Sequence, residues 1–282
     1  MLVKSTQSAD EFLSVAGEWV ASDPVDNSIV LTMLAGLKYR PQGAPTITWS
    51  YVMEQEGGGE HIIGAAAFSA PYLVILTDMP AEAAAALAAE LQAGPDPLPG
   101  VLGPDGAAAG FARQWSRTTG REAVEGRRER VLRLDADTRV PHFTAASGHS
   151  RPAVADELEL ITDWYLEAVR GSQLTRVDAQ RTAQQQIAAG RLWMWDDGGP
   201  VAVLGRTAAV HGVARYGPLY VLPEHRGSGV ARALFSGMLR ERAGYGAPIG
   251  AAFTDAENHA IRSLILSLGF RATTTMAEYR FS

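Results

Sequence analysis

The chain has 282 residues, of which 46% are hydrophobic and 20% charged, with a formal net charge of −6 and no cysteine. That length can bury a sizeable core and accommodate two domains, and the composition excludes wholesale disorder. The missing cysteine excludes disulfides, thiolate metal sites, a cysteine nucleophile and iron–sulfur ligation, leaving the cytoplasm as the default compartment; the acidic balance argues against a general nucleic-acid binder, which needs a basic surface.

The N-terminal stretch carries Lys4, Asp10 and Glu11 and no apolar run, so it does not read as a signal peptide. Phe12, Ala16, Trp19 and Val20 share one face of a helical period. Asp26-Asn27 offers N-caps for a second short helix. Strand-like runs follow at 46–53, 62–68 and 72–77, the first two joined by the turn Gly57-Gly58-Gly59. The uncharged stretch 62–77 holds Gly64, Ser69 and Pro71 and falls short of the roughly 20 apolar residues of a bilayer span, so no membrane association is expected. Pro80 opens an alanine-rich helix to about Gln92. A Pro/Gly-rich loop is expected over 94–106, then a helix stopped by Gly120 and a strand pair over 121–134.

Residues 135–152, with Pro141, Gly148 and Pro152 and no sustained period, read as a linker. Leu158, Ile161 and Tyr165 mark an amphipathic helix, and a polar helix covers about 178–189. Runs 192–195 and 201–205 form a hairpin across Asp196-Asp197-Gly198-Gly199. A strand is expected at 213–221, a helix at 227–243, a strand at 249–253, a helix at 258–268 stopped by Gly269, and a closing strand at 273–281. The two halves echo one another: Glu129 stands nine residues after Gly120, and Glu278 nine after Gly269.

The stretch that carries chemistry starts at Gly217. An apolar strand runs through Leu219, Tyr220 and Val221, then Pro223, then Arg226-Gly227-Ser228-Gly229-Val230-Ala231 opening a helix. A helix start presents unpaired N–H groups and the positive end of a macrodipole. Glycines let several amides converge with no Cβ in the way, and an arginine adds a fixed charge, so the segment is a phosphate cradle. It is not a P-loop, which ends in Gly-Lys-Ser/Thr, nor a Rossmann fingerprint, which needs a distant acid.

At these residues the chain resembles the GNAT superfamily of acyl-CoA-dependent N-acyltransferases. The resemblance rests on Arg226-Gly227-Ser228-Gly229-Val230-Ala231, and on the blocks Thr254-Asp255-Ala256-Glu257-Asn258 and Ser267-Leu268-Gly269-Phe270, and it spans about 150–282. It implies a mixed α+β (α/β) fold of two GNAT-like domains, each a mostly antiparallel sheet flanked by helices. Residues 1–140 would be a degenerate domain without the CoA motif and 141–282 the acetyltransferase domain. It further implies acetyl-CoA as co-substrate: amides of Gly227 to Ala231 on the pyrophosphate, strand Leu219–Val221 along the pantetheine, and Asn258 hydrogen-bonded to the same arm. The implied activity is acetyl transfer to the primary amine of a small molecule or peptide, by direct attack in a ternary complex. The alternative is a catalytically weak acyl-CoA-binding or regulatory protein.

One departure separates these readings. Family members often carry a tyrosine four residues before the Gly of Leu-Gly-Phe, as the acid for the departing thiolate; here Ile265 stands there. Tyr220 and Tyr279 are the substitutes considered. Asp255 could deprotonate the amine or cap the following helix. His225 could contact phosphate or be exposed filler, and Asn258 could both cap its helix and bind the ligand. Trp193 and Trp195 share one strand face as core or acceptor-pocket lining. Arg127, Arg128 and Arg130 read as a solvated strand face. No histidine pair has metal-ligand spacing with an acid, so no metal is expected. In the first half, Leu76-Thr77-Asp78-Met79-Pro80 joins strand to helix without glycine and with an acid that repels phosphate. The tandem arrangement points to a monomer, with a dimer as the alternative.

Overall fold

A computed structural model describes residues 1–40, 43–57, 59–94, 98–145, 147–170 and 174–282. Gly58, part of the expected Gly57-Gly58-Gly59 turn, lies outside the described residues, as do 95–97 of the expected 94–106 loop and Ala146 of the expected linker. In chain order the first elements are β1 (Leu2–Thr6), α1 (Ala9–Ser22), α2 (Ser28–Gly36), β2 (Thr48–Glu56), β3 (Gly59–Phe68), β4 (Val74–Leu76), α3 (Ala81–Gln92), β5 (Gly100–Pro104), α4 (Asp105–Thr119) and β6 (Ala123–Leu134). Then come β7 (His149–Pro152), α5 (Leu158–Ala168), α6 (Arg176–Ala188), β8 (Leu192–Asp196), β9 (Pro200–Arg206), β10 (Val213–Val221), α7 (Val230–Arg240), β11 (Ile249–Asp255), α8 (His259–Ser267) and β12 (Arg271–Phe281).

Two compact units divide the chain: Met1–Val131 with Thr254–Glu257 and Ala272–Ser282, and Leu132–Phe253 with Asn258–Arg271. The expectation of 1–140 and 141–282 divides the chain by sequence. Packing divides it after Val131 and counts 272–282 with the first unit.

In the first unit, strands follow the order β1-β2-β3-β4-β5-β12-β6. β4 and β5 run parallel, while β1–β2, β2–β3 and β12–β5 are antiparallel. Strand alternation sends Trp49 to one face, where its ring lies 5.4 Å from Phe12 of α1. Val52 faces the other side and joins Leu87, Phe111 and Trp115 of α3 and α4. β12 contributes Phe281, stacked on Trp115 at 3.9 Å. Asn27 stands at the N-cap of α2 but makes no side-chain cap bond; its Nδ2 donates to Val20 O at 3.0 Å.

Two expectations in this unit are corrected. The 94–106 loop contains β5, a largely buried Gly-Val-Leu-Gly-Pro strand held between β4 and β12, and α4 already starts at Asp105. The stretch 121–134 holds one long strand from Ala123, not a pair, and Gly126 leaves room for Glu278, whose Oε1 would lie 3.1 Å from a Cβ there.

In the second unit the order is β11-β10-β9-β8-β7. The expected linker holds a short strand, β7, paired with β8 from His149↔Asp196 to Pro152↔Trp193. α7 and α8 cover one face, where Trp195, Tyr216, Leu234, Phe235 and Ile265 pack together. α5 and α6 cover the other, with Ile161, Tyr165 and Met194 at its centre. Trp193 and Trp195 thus share a face with α7, as their spacing predicts, and Met194 points the opposite way. The helix expected over 227–243 is shorter: α7 ends at Arg240 and a 3₁₀ turn, Arg242–Tyr245, follows. No helix among the described residues is long and apolar enough to cross a membrane.

Candidate functional site

β10 and β11 pair in parallel only from Val213↔Ile249 to Tyr216↔Ala252. β10 then breaks register with β9 between Tyr216 and Leu219, and resumes with Leu219↔Leu204, Tyr220↔Val203 and Val221↔Ala202. Its last residues therefore keep one ladder partner and turn their other edge to open space. Backbone polar groups left on such an edge require a partner.

The chain leaves β10 through Leu222 and a 3₁₀ turn at Pro223–His225. Arg226 folds back, its Nε donating to Val221 O at 3.1 Å. Gly227 has φ +78° and Gly229 φ +90°, a region costly for any residue with a Cβ. Nothing lies within 4 Å of a Cβ built on Gly227, and only Thr144 O, at 3.8 Å, approaches one on Gly229. Glycine is required here by backbone conformation, and its bareness keeps the space ahead of the amides clear. Gly229 is the N-cap of α7 and offers no capping side chain. The α7 ladder begins where Ala233 N–H donates to Gly229 O at 2.9 Å, so the amides of Val230, Ala231 and Arg232 precede it. No acid stands in the first turn of α7, nor of α2 and α8, whereas α1, α3, α4, α5 and α6 each have at least one. The positive end of this helix is left without a countercharge on its own first turn.

These elements border a cleft of about 600 Å³. One wall is Leu219, Tyr220 and Val221, and its floor is Arg226, Gly227 and Gly229 to Arg232. Asn258, Ala260, Ile261, Ser263 and Leu264 of the α8 region form a second wall, and Glu167 and Ala168 at the end of α5 a third. Asn258 Oδ1 accepts the Ile261 N–H at 3.1 Å, so this residue caps α8 while bordering the cleft. Tyr220 lies with its ring 5.4 Å from Trp164, and Arg226 sits 5.8 Å from the Tyr220 ring centroid. Glu167 is held by Arg170, whose Nη2 donates to both carboxylate oxygens at 2.7 and 2.5 Å.

The structure brings Leu219, Tyr220, Val221, Arg226, Gly227, Gly229, Val230, Ala231 and Asn258 together around this cleft. Ser228 does not border it; its Oγ donates to His225 O at 2.5 Å and braces the turn. Asp255 does not border it either; its Oδ1 accepts the Glu257 N–H at 2.8 Å in the turn before α8, while the cap of α8 itself, the other role considered for Asp255, belongs to Asn258. Ile265 is 3% exposed, sealed in the core beneath α8. Tyr279 lies in the first unit, packed against the cluster of Leu87, Phe111 and Trp115, where burial raises its phenol pKa. His225 borders the cleft; His259 is bound to Arg262 at 2.9 Å through Nδ1. Sequence reasoning missed Glu167, Ala168, Arg232, Ala260, Ile261, Ser263 and Leu264 as lining residues. For Ile261 and Leu264 the helical period carried a signal, since their exposed flank adjoins the buried Ile265–Leu268 stripe.

The corresponding turn of the first unit is closed. Thr77 Oγ1 accepts the Ala65 N–H at 2.8 Å and donates to Ala65 O at 3.0 Å. Met79 is buried, and a Cβ on Gly64 would lie 2.6 Å from Met79 Cβ. Asp78 is exposed, and α3 starts behind Pro80 with no glycine turn. Among the described residues no group of His, Asp or Glu is arranged to hold a metal ion.

Residues 188–272 match the family model described as an acetyltransferase (GNAT) domain. No curated protein matches the chain in sequence. An acetyltransferase of the GNAT family from Colwellia psychrerythraea superposes with a TM-score of 0.62 at 12% identity, over 100% of both chains. A GCN5-related N-acetyltransferase from Sphaerobacter thermophilus gives 0.63 at 14% identity, over 99% of this chain and 94% of that one. A tandem GNAT protein from the clavulanic acid biosynthesis pathway gives 0.55 at 15% identity, over 99% and 98%. The likenesses show the fold over the full chain, and the family model matches an acetyltransferase (GNAT) domain over 188–272, the stretch that holds most of the cleft.

Proposed function

We propose that the protein is an acyl-CoA-dependent N-acyltransferase that moves an acetyl group from acetyl-CoA to a primary amine. The observation that carries this reading is the floor of the cleft. Gly227 and Gly229 hold left-handed backbone there, the α7 amides face the space, and no first-turn acid opposes an anion. These residues fit a pyrophosphate: a side chain on either glycine would strain the turn, and Arg226 and Arg232 supply fixed charge. The volume is in the range of pockets that bury most of a small ligand.

Three roles follow for this chain's residues. The amides of Gly227 to Ala231 bind the diphosphate. The open edge of Leu219–Val221 pairs with the amide-bearing arm as an added strand would, which fixes the thioester beside β10. Asn258 remains free, through its side-chain amide, to donate to the same arm while Oδ1 caps α8. Orientation of a neutral amine against a held thioester supplies much of the rate in such a transfer. Tyr220, on the wall beside the thioester position, is the hydroxyl we assign to the departing thiolate. Asp255 receives no catalytic role, because it caps a turn and does not face the cleft.

The donor domain in this reading is 141–282, and 1–140 is a related domain without a donor site, its turn closed by Thr77 and Met79. The acceptor is the amine of a small molecule or peptide, the compartment is the cytoplasm, and the working form is a monomer. The second reading, an acyl-CoA-binding regulatory protein, is favoured by one observation: Ile265 is aliphatic and buried where a hydroxyl acid would be expected. A thiol-release assay with acetyl-CoA and a broad panel of primary amines separates the two. Turnover that disappears in Gly229→Trp supports the transferase. Tight CoA binding with no release for any amine supports the regulatory reading.

A further inference from the structure

α7 has a second concave surface at its far end. Thr138, Arg139, Val140 and His142, in the segment after β6, and Arg240 and Arg242, at the close of α7, border a cavity of about 560 Å³. All of them lie in the second unit. No residue borders both this cavity and the donor cleft, and the length of α7, about 15 Å, lies between them. Arg242 is 8% exposed. Its Nε donates to Pro248 O at 2.9 Å, Nη1 to Leu239 O at 3.1 Å, and Nη2 to Thr138 O at 2.6 Å and Ala136 O at 3.1 Å. These bonds pin the segment after β6 to the helix end and set a full positive charge in the wall of the cavity.

Fastening the segment explains Arg242 but not the rest of the lining. Arg139 and Arg240 are exposed, and among the described residues neither side chain makes a hydrogen bond or an ion pair, although twelve ion pairs occur elsewhere. Among the described residues no acid borders the cavity. Asp135 is engaged by Arg133 at 2.5 Å and Arg271 at 3.0 Å, and the exposed Asp137 and Glu241 do not reach the lining. A helix C-terminus offsets only about half an elementary charge, against three guanidiniums brought from two separate segments. Arg206 deepens the positive field from behind: it is 8% exposed and lies 3.6 Å from the ring centroid of Tyr245, in the same 3₁₀ turn as Arg242. Like charges gathered on one concave surface repel, and an anion bound among them relieves that repulsion.

We propose that this cavity is a second anion site, built for a phosphorylated small molecule and separate from the donor cleft. Arg139 and Arg240 supply free N–H forks, the geometry that meets a phosphate with two parallel bonds. His142 adds a ring N–H donor. A phosphate monoester concentrates about −1.5 to −2 charge on one centre, which matches clustered guanidiniums better than a carboxylate does. The volume exceeds that of a bare phosphate and is in the range of small-ligand pockets, and Val140 and Pro141 offer apolar surface to a carbon skeleton. The assignment does not depend on the acetyl-CoA reading, because it uses none of the residues of the donor cleft.

The test is a calorimetric titration of the full chain with inorganic pyrophosphate at constant ionic strength, with citrate as the carboxylate comparison. The native protein, Gly229→Trp and the double variant Arg139→Gln/Arg240→Gln are compared, with thermal unfolding confirming that each is folded; both arginines are exposed, so the double variant should fold normally. The expected result is pyrophosphate binding that survives Gly229→Trp, weakens at least tenfold at this site in the double variant, and exceeds citrate binding. The number of pyrophosphate ions bound by the native protein should fall by one in the double variant, which decides the matter without Gly229→Trp. No pyrophosphate binding, binding abolished by Gly229→Trp, or binding untouched by the double variant overturns the second site. Citrate bound as tightly as pyrophosphate overturns its assignment to phosphate. None of these results bears on acetyl-CoA binding at the donor cleft.

Discussion

Arg226 Nε and Val221 O are 3.1 Å apart, and this bond joins the end of β10 to the loop that opens α7. It fixes the two parts of the donor cleft, the open strand edge and the glycine turn, in one geometry. A planar guanidinium can hold that carbonyl and still offer N–H groups to an anion, which an ammonium does less well. Arg226→Ala should weaken acetyl-CoA binding by about tenfold, and Arg226→Lys should recover less than half of the lost binding free energy. Titration of both variants checks this; full recovery by lysine would show that charge alone matters at this position.

Two glycines of the same helix should respond to alanine with opposite sign. Gly229 has φ +90°, so Gly229→Ala should destabilise the protein by about 1–2 kcal/mol through backbone strain alone. Gly237 is inside α7 with nothing within 4 Å of an added Cβ, so Gly237→Ala should stabilise by about 0.5–1 kcal/mol. Urea denaturation of the two variants beside the native protein measures both. A destabilising Gly237→Ala would contradict the open space at that position.

Alkaline pH should unfold the protein through its buried phenols. Burial pushes Tyr165 and Tyr216 well above the ordinary tyrosine value. Their contribution is whole below about pH 10, where the unfolded phenol is also protonated, and declines as pH rises above it. Each phenol should contribute a slope of up to about 1.4 kcal/mol per pH unit in that window. Tyr165→Phe should flatten the decline but lower stability at neutral pH by about 1–3 kcal/mol, since Tyr165 Oη donates to Gln186 Oε1 at 2.5 Å in the core. Denaturation midpoints between pH 8 and 11 test both parts.

At the acid end the Arg151 cluster should set the slope. Burial raises the Glu157 pKa, but Arg151 at 2.6 and 3.1 Å and the Val154 N–H at 2.9 Å outweigh it and leave the carboxyl below its ordinary range. Asp196 shares the same guanidinium, at 2.9 Å from Arg151 Nε. The stabilisation is present above about pH 4.3 and is lost as pH falls through the lowered native value. Arg151→Gln should shift the acid unfolding midpoint upward. An unchanged midpoint would mean that other carboxylates govern acid unfolding.

The sequence made the glycine turn legible because its chemistry is local. The turn, its arginine and the strand before it are contiguous, so eight of the expected binding residues reach the cleft from one stretch, and Asn258, expected from the family resemblance, joins them from the start of α8. Ser228 lies in the same motif, but motif membership says nothing about where a hydroxyl turns; it braces His225 instead. Glu167 and Ala168 come from α5, far away in sequence, and only packing brings them to the third wall. β5 was hidden because Gly100 and Gly103 read as loop punctuation. In the sheet, a Cβ on Gly100 would run into Tyr279 O, so close backbone approach explains that glycine. β7 was hidden because four polar or proline residues, His149–Pro152, form an edge strand with no hydrophobic alternation to find. The Ile265 substitution was legible as a missing hydroxyl, and its burial in the α8 core explains why an aliphatic side chain sits there.

The account stands on the donor cleft, so the most direct measurement is a calorimetric titration of the native protein and Gly229→Trp with acetyl-CoA and CoA. Micromolar binding to the native protein, lost in a folded Gly229→Trp, is the predicted result. No heat of binding to the native protein, or undiminished binding to Gly229→Trp, would contradict it.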